Sequence, residues 1–243
     1  MSLRRLYVSA PFGNHWRHPL AVSVLGTYTL GRRAGAFRRW WRVLRTLRPY
    51  PGGWVNRLGL PNPGIDAAPP PGPGLAVSLH GFGHEDWTRL ISAAARLGWH
   101  NVELNLSCPN VDAAGVDEAT HAAEIALALG LNVTAKLGPV KPMDFAEPLW
   151  RSGVRSFHLC NAIPTPRGGV SGAALKPFSL WAVEEARKRF PAAHIVGGGG
   201  VYSAGDAKDY FAAGADAVAV GSALLNPLRA GRLLRELADF VSR

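Results

Sequence analysis

Cys108 stands just past the apolar run Asn101–Leu106, inside the segment Glu103-Leu-Asn-Leu-Ser-Cys-Pro-Asn110. A cysteine in such a place is ordinarily a small buried hydrophobe. It becomes a base when neighbouring donors bring its pKa toward the operating pH, because the thiolate is the reactive form. Lys136 lies within the apolar run Asn132–Leu137, where an ammonium is tolerated only if it meets an anion or another electron-rich group. Farther on, His194–Val201 carries four successive glycines, and Ala217–Ser222 ends in Gly221 and Ser222. Glycines let backbone N–H groups approach a phosphate closely, and a helix N-terminus adds a favourable dipole. Gly199, Gly200, Gly221 and Ser222 are therefore candidate phosphate ligands. Cys160 is expected in core packing. No Cys-x-x-Cys spacing is present, and His80, His84 and His158 lack metal-ligand spacing, so surface or core roles are expected for them.

The elements that must carry these residues alternate along the chain. Leu6–Ser9, Leu20–Leu25, Leu75–Leu79, Asn101–Leu106, Asn132–Leu137, Val154–Leu159, His194–Gly197 and Ala217–Val220 read as strands. They are nearly continuous in apolar character, as expected for parallel strands covered by helices. Helical patterns fall between the later ones: Glu85–Leu97, Asp117–Leu129, Met143–Ser152, Lys176–Arg189, Ser203–Ala213 and Leu228–Val241. Gly98, Gly130, Gly153 and Gly214 stand just past four of their ends, where a left-handed cap favours glycine. About eight such units predict a closed (β/α)8 TIM barrel, an α/β fold. Pro11–Pro19 is too short for a covering helix, so the helix after the first strand is expected to be shortened or missing. Pro61–Gly74 reads as a loop. A linker at 66–74 would leave neither half able to close a barrel, so a single domain over 1–243 is expected.

Composition supports a folded chain: 47% of residues are hydrophobic and 18% charged. Two cysteines form no disulfide framework. Residues 1–24 contain no long apolar stretch, so neither a signal peptide nor a membrane span is expected, and a cytoplasmic location follows by default. The net charge of +10 fits either an anionic partner or arginine-rich drift, the latter for most of the arginines.

Glu103–Asn110 closely resembles the strand end Asn-x-Ser-Cys/Ser-Pro-Asn of the dihydroorotate dehydrogenases, and further segments follow in family order. Gly53–Gly64 resembles the substrate loop, Ala135–Pro139 the flavin-lysine strand, and Gly168–Gly172 with Lys176 and Pro177 the sixth-strand loop. Most of residues 5–226 are covered. The resemblance implies an FMN-dependent oxidoreductase in which Cys108 is the catalytic base. It implies substrate contacts from Asn56, Leu58, Gly59, Leu60, Asn105, Asn110 and Asn161, whose amides suit a planar pyrimidine ring because each offers donor and acceptor. It implies FMN contacts from Ala10, Thr27, Asn105, Lys136, Gly172, Gly199, Gly200, Gly221 and Ser222. Lys136 matches the lysine near flavin N1, where reduced flavin gathers negative charge.

Some positions depart from that pattern. Gly26 falls where cytosolic relatives carry a lysine that contacts flavin and substrate carboxylate, leaving Thr27 as the flavin contact. Ala162 replaces a hydroxyl residue, and the loops after Asn110 and Asn161 are short. The substrate is therefore expected to be a dihydropyrimidine such as dihydroorotate or a related cyclic compound.

In Phe37–Arg48, Phe37, Trp40, Trp41, Leu44 and Leu47 recur at helical spacing with arginines opposite. The plain reading is a barrel helix packing inward; the sharper ones are a lid over the active site, a surface helix at anionic lipid or a nucleic-acid contact. A small-molecule substrate is expected, with a homodimer or an electron-transfer subunit as partner and no nucleic acid. Two other functions stay open. One is a tRNA dihydrouridine synthase-like FMN enzyme, against which Ser107 and Asn110 argue; the other is a degenerate barrel that binds FMN or a partner without turnover.

Overall fold

The computed structural model describes residues 4–33, 45–108 and 114–242. Eight strands close a parallel barrel: β1 (Leu6–Val8), β2 (Ala21–Tyr28), β5 (Leu75–Leu79), β6 (Asn101–Asn105), β7 (Asn132–Leu137), β8 (Ser156–Leu159), β11 (His194–Gly198) and β12 (Ala217–Val220). β12 closes the ring by pairing with β1, Val218 opposite Leu6. Around it lie α1 (His84–Arg96), α2 (Val116–Ala128), α3 (Pro142–Arg151), α4 (Lys176–Arg189), α5 (Ala204–Ala212) and α6 (Pro227–Val241). The barrel expected from the alternating pattern is present. After β1 only the short 3-10 turn Phe12–Asn14 stands where a helix would otherwise be. Among the described residues no helix is long and apolar enough to cross a membrane.

The core sits between barrel and helices, because every strand turns alternate residues outward. On β8, Phe157 faces outward and packs on Phe190 with ring centroids 5.6 Å apart. Trp87, Leu90 and Ile91 of α1 are fully buried in the same layer. Fully burying side chains of this size stabilises by roughly 1.5–3 kcal/mol each. Inside the barrel a small apolar floor of Val196, Ala217 and Ala219 packs with Tyr7. Above that floor the inward side chains turn polar, and there the site begins.

A second sheet was not expected from sequence. Four short strands pair antiparallel in the order β3 (Arg48–Tyr50), β4 (Gly53–Asn56), β10 (Gly168–Gly172) and β9 (Ile163–Thr165). The segments read as the substrate loop and the sixth-strand loop are thus partly strand, joined to each other with Asn56 opposite Gly169. Pro61–Gly74 is likewise tied down, by an Arg33–Asn62 bridge and a 3-10 turn at Ile65–Ala67. β2 also runs on to Tyr28, past the expected Leu25, with a shift in register against β5 between Gly26 and Tyr28.

Candidate active site

A cavity of about 580 Å³ opens over the C-terminal ends of the barrel strands. Ser9–Phe12 after β1, Gly26–Tyr28 of β2, Lys136 of β7 and His158 of β8 reach it, as do residues following β6, β11 and β12. The antiparallel sheet and the turn after it supply Asn56, Leu58, Leu60, Ser171 and Gly172. Of the residues singled out from sequence, all but Gly59 and Asn110 line this one space. Gly59 stands between two lining leucines without lining the cavity itself, and Asn110 lies outside the described residues.

One end is built from backbone. Gly199 and Gly200 have φ of +114° and +72°, a region that disfavours any Cβ. A Cβ on Gly200 would meet Ala173 Cα at 2.9 Å and Gly172 O at 3.0 Å. Across from them Gly221 leads into the 3-10 turn Ser222–Leu225. Such paired strand-end loops form a cradle suited to a phosphate. Ser203, whose side chain accepts from Asp206 N, caps the helix that follows.

The floor is charged. Glu103, on β6, is sealed from solvent between two partners: His158 Nδ1 donates to its Oε2 at 2.7 Å, and Lys136 Nζ lies 3.6 Å from Oε1. Burial alone would raise the Glu103 pKa. The Lys136 ammonium and the His158 imidazole outweigh burial and bring it down to about 2. Burial, then the Lys136 charge, push His158 below its usual value, so it is neutral at pH 7 and donates from Nδ1. Lys136 and His158 both reach the cavity; Glu103 stands behind them.

A polar run connects this floor to the middle of the cavity. Thr27 Oγ1 lies 3.0 Å from Ser78 Oγ. Asn105 Nδ2 donates to Thr27 Oγ1 at 3.0 Å, and Asn161 Nδ2 donates to Asn105 Oδ1 at 2.8 Å. His80 Nδ1 donates to the Asn105 carbonyl at 2.7 Å and steadies the end of β6. Burial lowers the His80 pKa, which keeps that ring neutral. Cys108 is 6% exposed on the segment leaving β6 and lines the same space.

His158 reaches the cavity although a core or surface role was expected for it, whereas Cys160, expected in core packing, is in the core and borders the cavity. For His158 the signal lay in the alternation along β8: with Phe157 and Leu159 outward, His158 must point inward. Burial pushes the Cys160 thiol up to about 12. Gly26 has φ of +100°, and a Cβ there would lie 2.8 Å from both Ser78 O and Tyr28 N. The backbone at this point has no room for a side chain, lysine included. Of the arginine-rich segment only residues 45–48 are described: 45 and 46 are helical, Leu47 lines the cavity and Arg48 opens β3. Arg38, Arg39 and Arg42 lie outside the described residues.

The geometry can therefore hold a phosphate at one end and a ring bearing amide groups at the other, with a thiol and an ammonium between. Comparisons with known proteins agree. The family model "Dihydroorotate dehydrogenase" matches residues 153–241. The catalytic subunit of dihydroorotate dehydrogenase B (NAD(+)) from Thermotoga maritima is 34% identical over 194 residues, covering 70% of this chain and 72% of that protein. Its counterpart from Latilactobacillus sakei is 29% identical over 273 residues, covering 96% and 86%. In fold, a ligand-free dihydroorotate dehydrogenase from Eimeria tenella superposes with a TM-score of 0.70 at 19% identity, over 90% of this chain and 76% of that one. With its barrel, its cavity and these relatives in agreement, the chain belongs to the dihydroorotate dehydrogenase family.

Proposed function

We propose that the protein, acting as one barrel domain, is an FMN-dependent dehydrogenase. It would oxidise the carbon–carbon single bond beside a ring carbonyl in a dihydropyrimidine such as dihydroorotate. The observation that carries this reading is the convergence of Cys108, Asn56, Asn105, Asn161 and Lys136 on one cavity that ends in a glycine cradle.

The residues present fit FMN. The Gly199–Gly200 and Gly221–Ser222 backbones would take its phosphate, and Gly200 packs so closely on the Gly172–Ala173 backbone that a Cβ there would displace the loop. Ala10, Thr27, Asn105 and Gly172 line the route from there toward Lys136. When bound, FMN supplies the acceptor for the hydride that leaves one ring carbon. Cys108 takes the proton from the adjacent carbon as a thiolate, forming the S–H bond as the C–H bond breaks. Asn56, Asn105 and Asn161 hold the ring through paired donors and acceptors, with Leu58 and Leu60 against its apolar edge. Lys136 puts positive charge where negative charge gathers during the transfer. An electron-accepting subunit belongs to this proposal, since relatives named above are catalytic subunits of NAD(+)-linked enzymes.

The test is spectroscopic. Purified or FMN-reconstituted protein should show the visible flavin bands, and anaerobic mixing with dihydroorotate should bleach them. Failure to take up FMN would sink the cofactor assignment. Stable flavin that no dihydropyrimidine bleaches would leave a binding barrel without turnover.

A further inference from the structure

We propose that Tyr210, on α5, is a positioning residue for the phosphate cradle: its hydroxyl holds the Gly199 carbonyl in the helix layer and so turns the Gly200 N–H toward the cavity, to meet the phosphate. The inference rests on the FMN reading above. It gives a buried residue that does not line the cavity a part in selecting the phosphorylated cofactor.

The contact has one possible direction. A backbone carbonyl can only accept, so the Tyr210 hydroxyl donates to Gly199 O, at 2.5 Å. Burial raises the Tyr210 pKa above its usual value, and the proton stays on that oxygen at neutral pH. The ring is held as firmly as the hydroxyl. Tyr210 is fully buried, and a Cβ on Gly197 would lie 2.4 Å from its Cδ1, so the end of β11 must be glycine to leave room for it. Gly199 is pressed as well: a Cβ there would lie 2.7 Å from Leu175 Cγ and 2.9 Å from Ser179 Oγ. One residue earlier, Gly198 O accepts from Cys160 N at 3.0 Å. Two successive carbonyls at the strand end are therefore tied into the surrounding frame.

The consequence for the cavity is a matter of peptide geometry. The Gly199–Gly200 peptide is trans, so its N–H points opposite to its C=O. Tyr210 belongs to the core layer behind the loop, whereas Gly199, Gly200 and Val201 line the cavity. With the oxygen held outward, the Gly200 N–H faces inward, and no acceptor for it is found among the described residues. Gly199 and Gly200, with φ of +114° and +72°, meet little steric resistance to rotation, so they cannot fix this peptide plane by themselves. The Tyr210 hydroxyl supplies the anchor. Without it the plane can turn, leaving a buried carbonyl unpaired or presenting its lone pairs to the phosphate in place of a donor.

The experiment compares FMN with riboflavin, which lacks the phosphate, on the full chain freed of flavin, as wild type and as Tyr210→Phe. The variant keeps the ring against Gly197 and removes only the donor. Its affinity for FMN should fall about tenfold, ~1.4 kcal/mol, while its affinity for riboflavin stays within about twofold. In protein labelled with ¹⁵N-glycine, inorganic phosphate should shift the Gly200 amide signal of wild type and leave that of Tyr210→Phe nearly unmoved at the same concentration. Equal losses for the two flavins, as a merely structural tyrosine would give, would overturn the proposal; so would undiminished FMN affinity. Wild type alone provides a second check, should the variant fold poorly. In FMN-bound protein the Tyr210 hydroxyl proton should exchange slowly with solvent, and rapid exchange would also overturn the proposal. A wild type that prefers FMN sustains the cofactor reading whatever the variant does, so the two failures are told apart. A wild type that binds both flavins equally would overturn the cradle and this proposal together.

Discussion

At the scale of single residues, two cysteines border the cavity and differ in what they can do. Cys160 is packed in the core, and burial holds its thiol near 12, so little thiolate exists at neutral pH. Iodoacetamide at pH 8 should leave Cys160 unmodified in the folded protein and label it on unfolding, as peptide mass spectrometry would read; labelling in the native state would contradict this burial. Cys108→Ala should slow flavin bleaching by dihydroorotate about 10²–10⁴-fold while FMN stays bound. An unchanged rate would remove Cys108 from the mechanism. Glu103→Gln takes the counter-charge from a buried ammonium and should cost about 3–5 kcal/mol in urea unfolding. The pH dependence has a definite sign. Glu103 titrates lower in the folded chain than its ordinary 4.5, so its contribution is complete above that value and is lost as pH falls toward 2. His158 is buried neutral with a lowered pKa, so stability begins to fall once pH drops below about 6.5. Glu103→Gln should flatten the steeper acid limb; an unaltered limb would mean that other carboxylates set it.

The elements divide by how their residues are buried. Barrel strands such as Asn132–Leu137 lie between the barrel interior and a helix layer, so their apolar runs announce them. β4 and β10 carry no such run. They are short and glycine-laced, and the hairpins β3–β4 and β9–β10 join into one sheet only because β4 and β10 meet across more than 100 residues of chain (Asn56 opposite Gly169). No local pattern records a pairing of that kind. The glycine cradle was legible because backbone approach demands glycine, and it yields a test. Gly200→Ala forces a Cβ to 2.9 Å from Ala173 Cα and into a left-handed φ. A loss of FMN affinity of tenfold or more is expected by equilibrium dialysis, with a stability cost of about 1–2 kcal/mol. Normal FMN binding by Gly200→Ala would move the phosphate elsewhere.

For the whole molecule, cofactor and fold are linked by mass action. Free FMN at a hundred times its Kd should stabilise the stripped protein by about 2.7 kcal/mol. For a chain of this size that is a rise in Tm of about 5–10 °C by calorimetry. No rise with FMN would argue against a cofactor site formed by the folded barrel. The sequence by itself determined the barrel, the glycine cradle and the segment around Cys108, because each depends on local requirements: continuous burial of strands, close backbone approach and the chemistry of one motif. It also placed Lys136 as a cation needing an anionic or electron-rich partner. Only the tertiary structure decided that Glu103 is that partner, that His158 completes the charged floor, and that Ser78, Thr27, Asn105 and Asn161 join in one run. Those contacts join strands far apart in the chain, and strand pairing around the closed barrel sets which inward side chains meet.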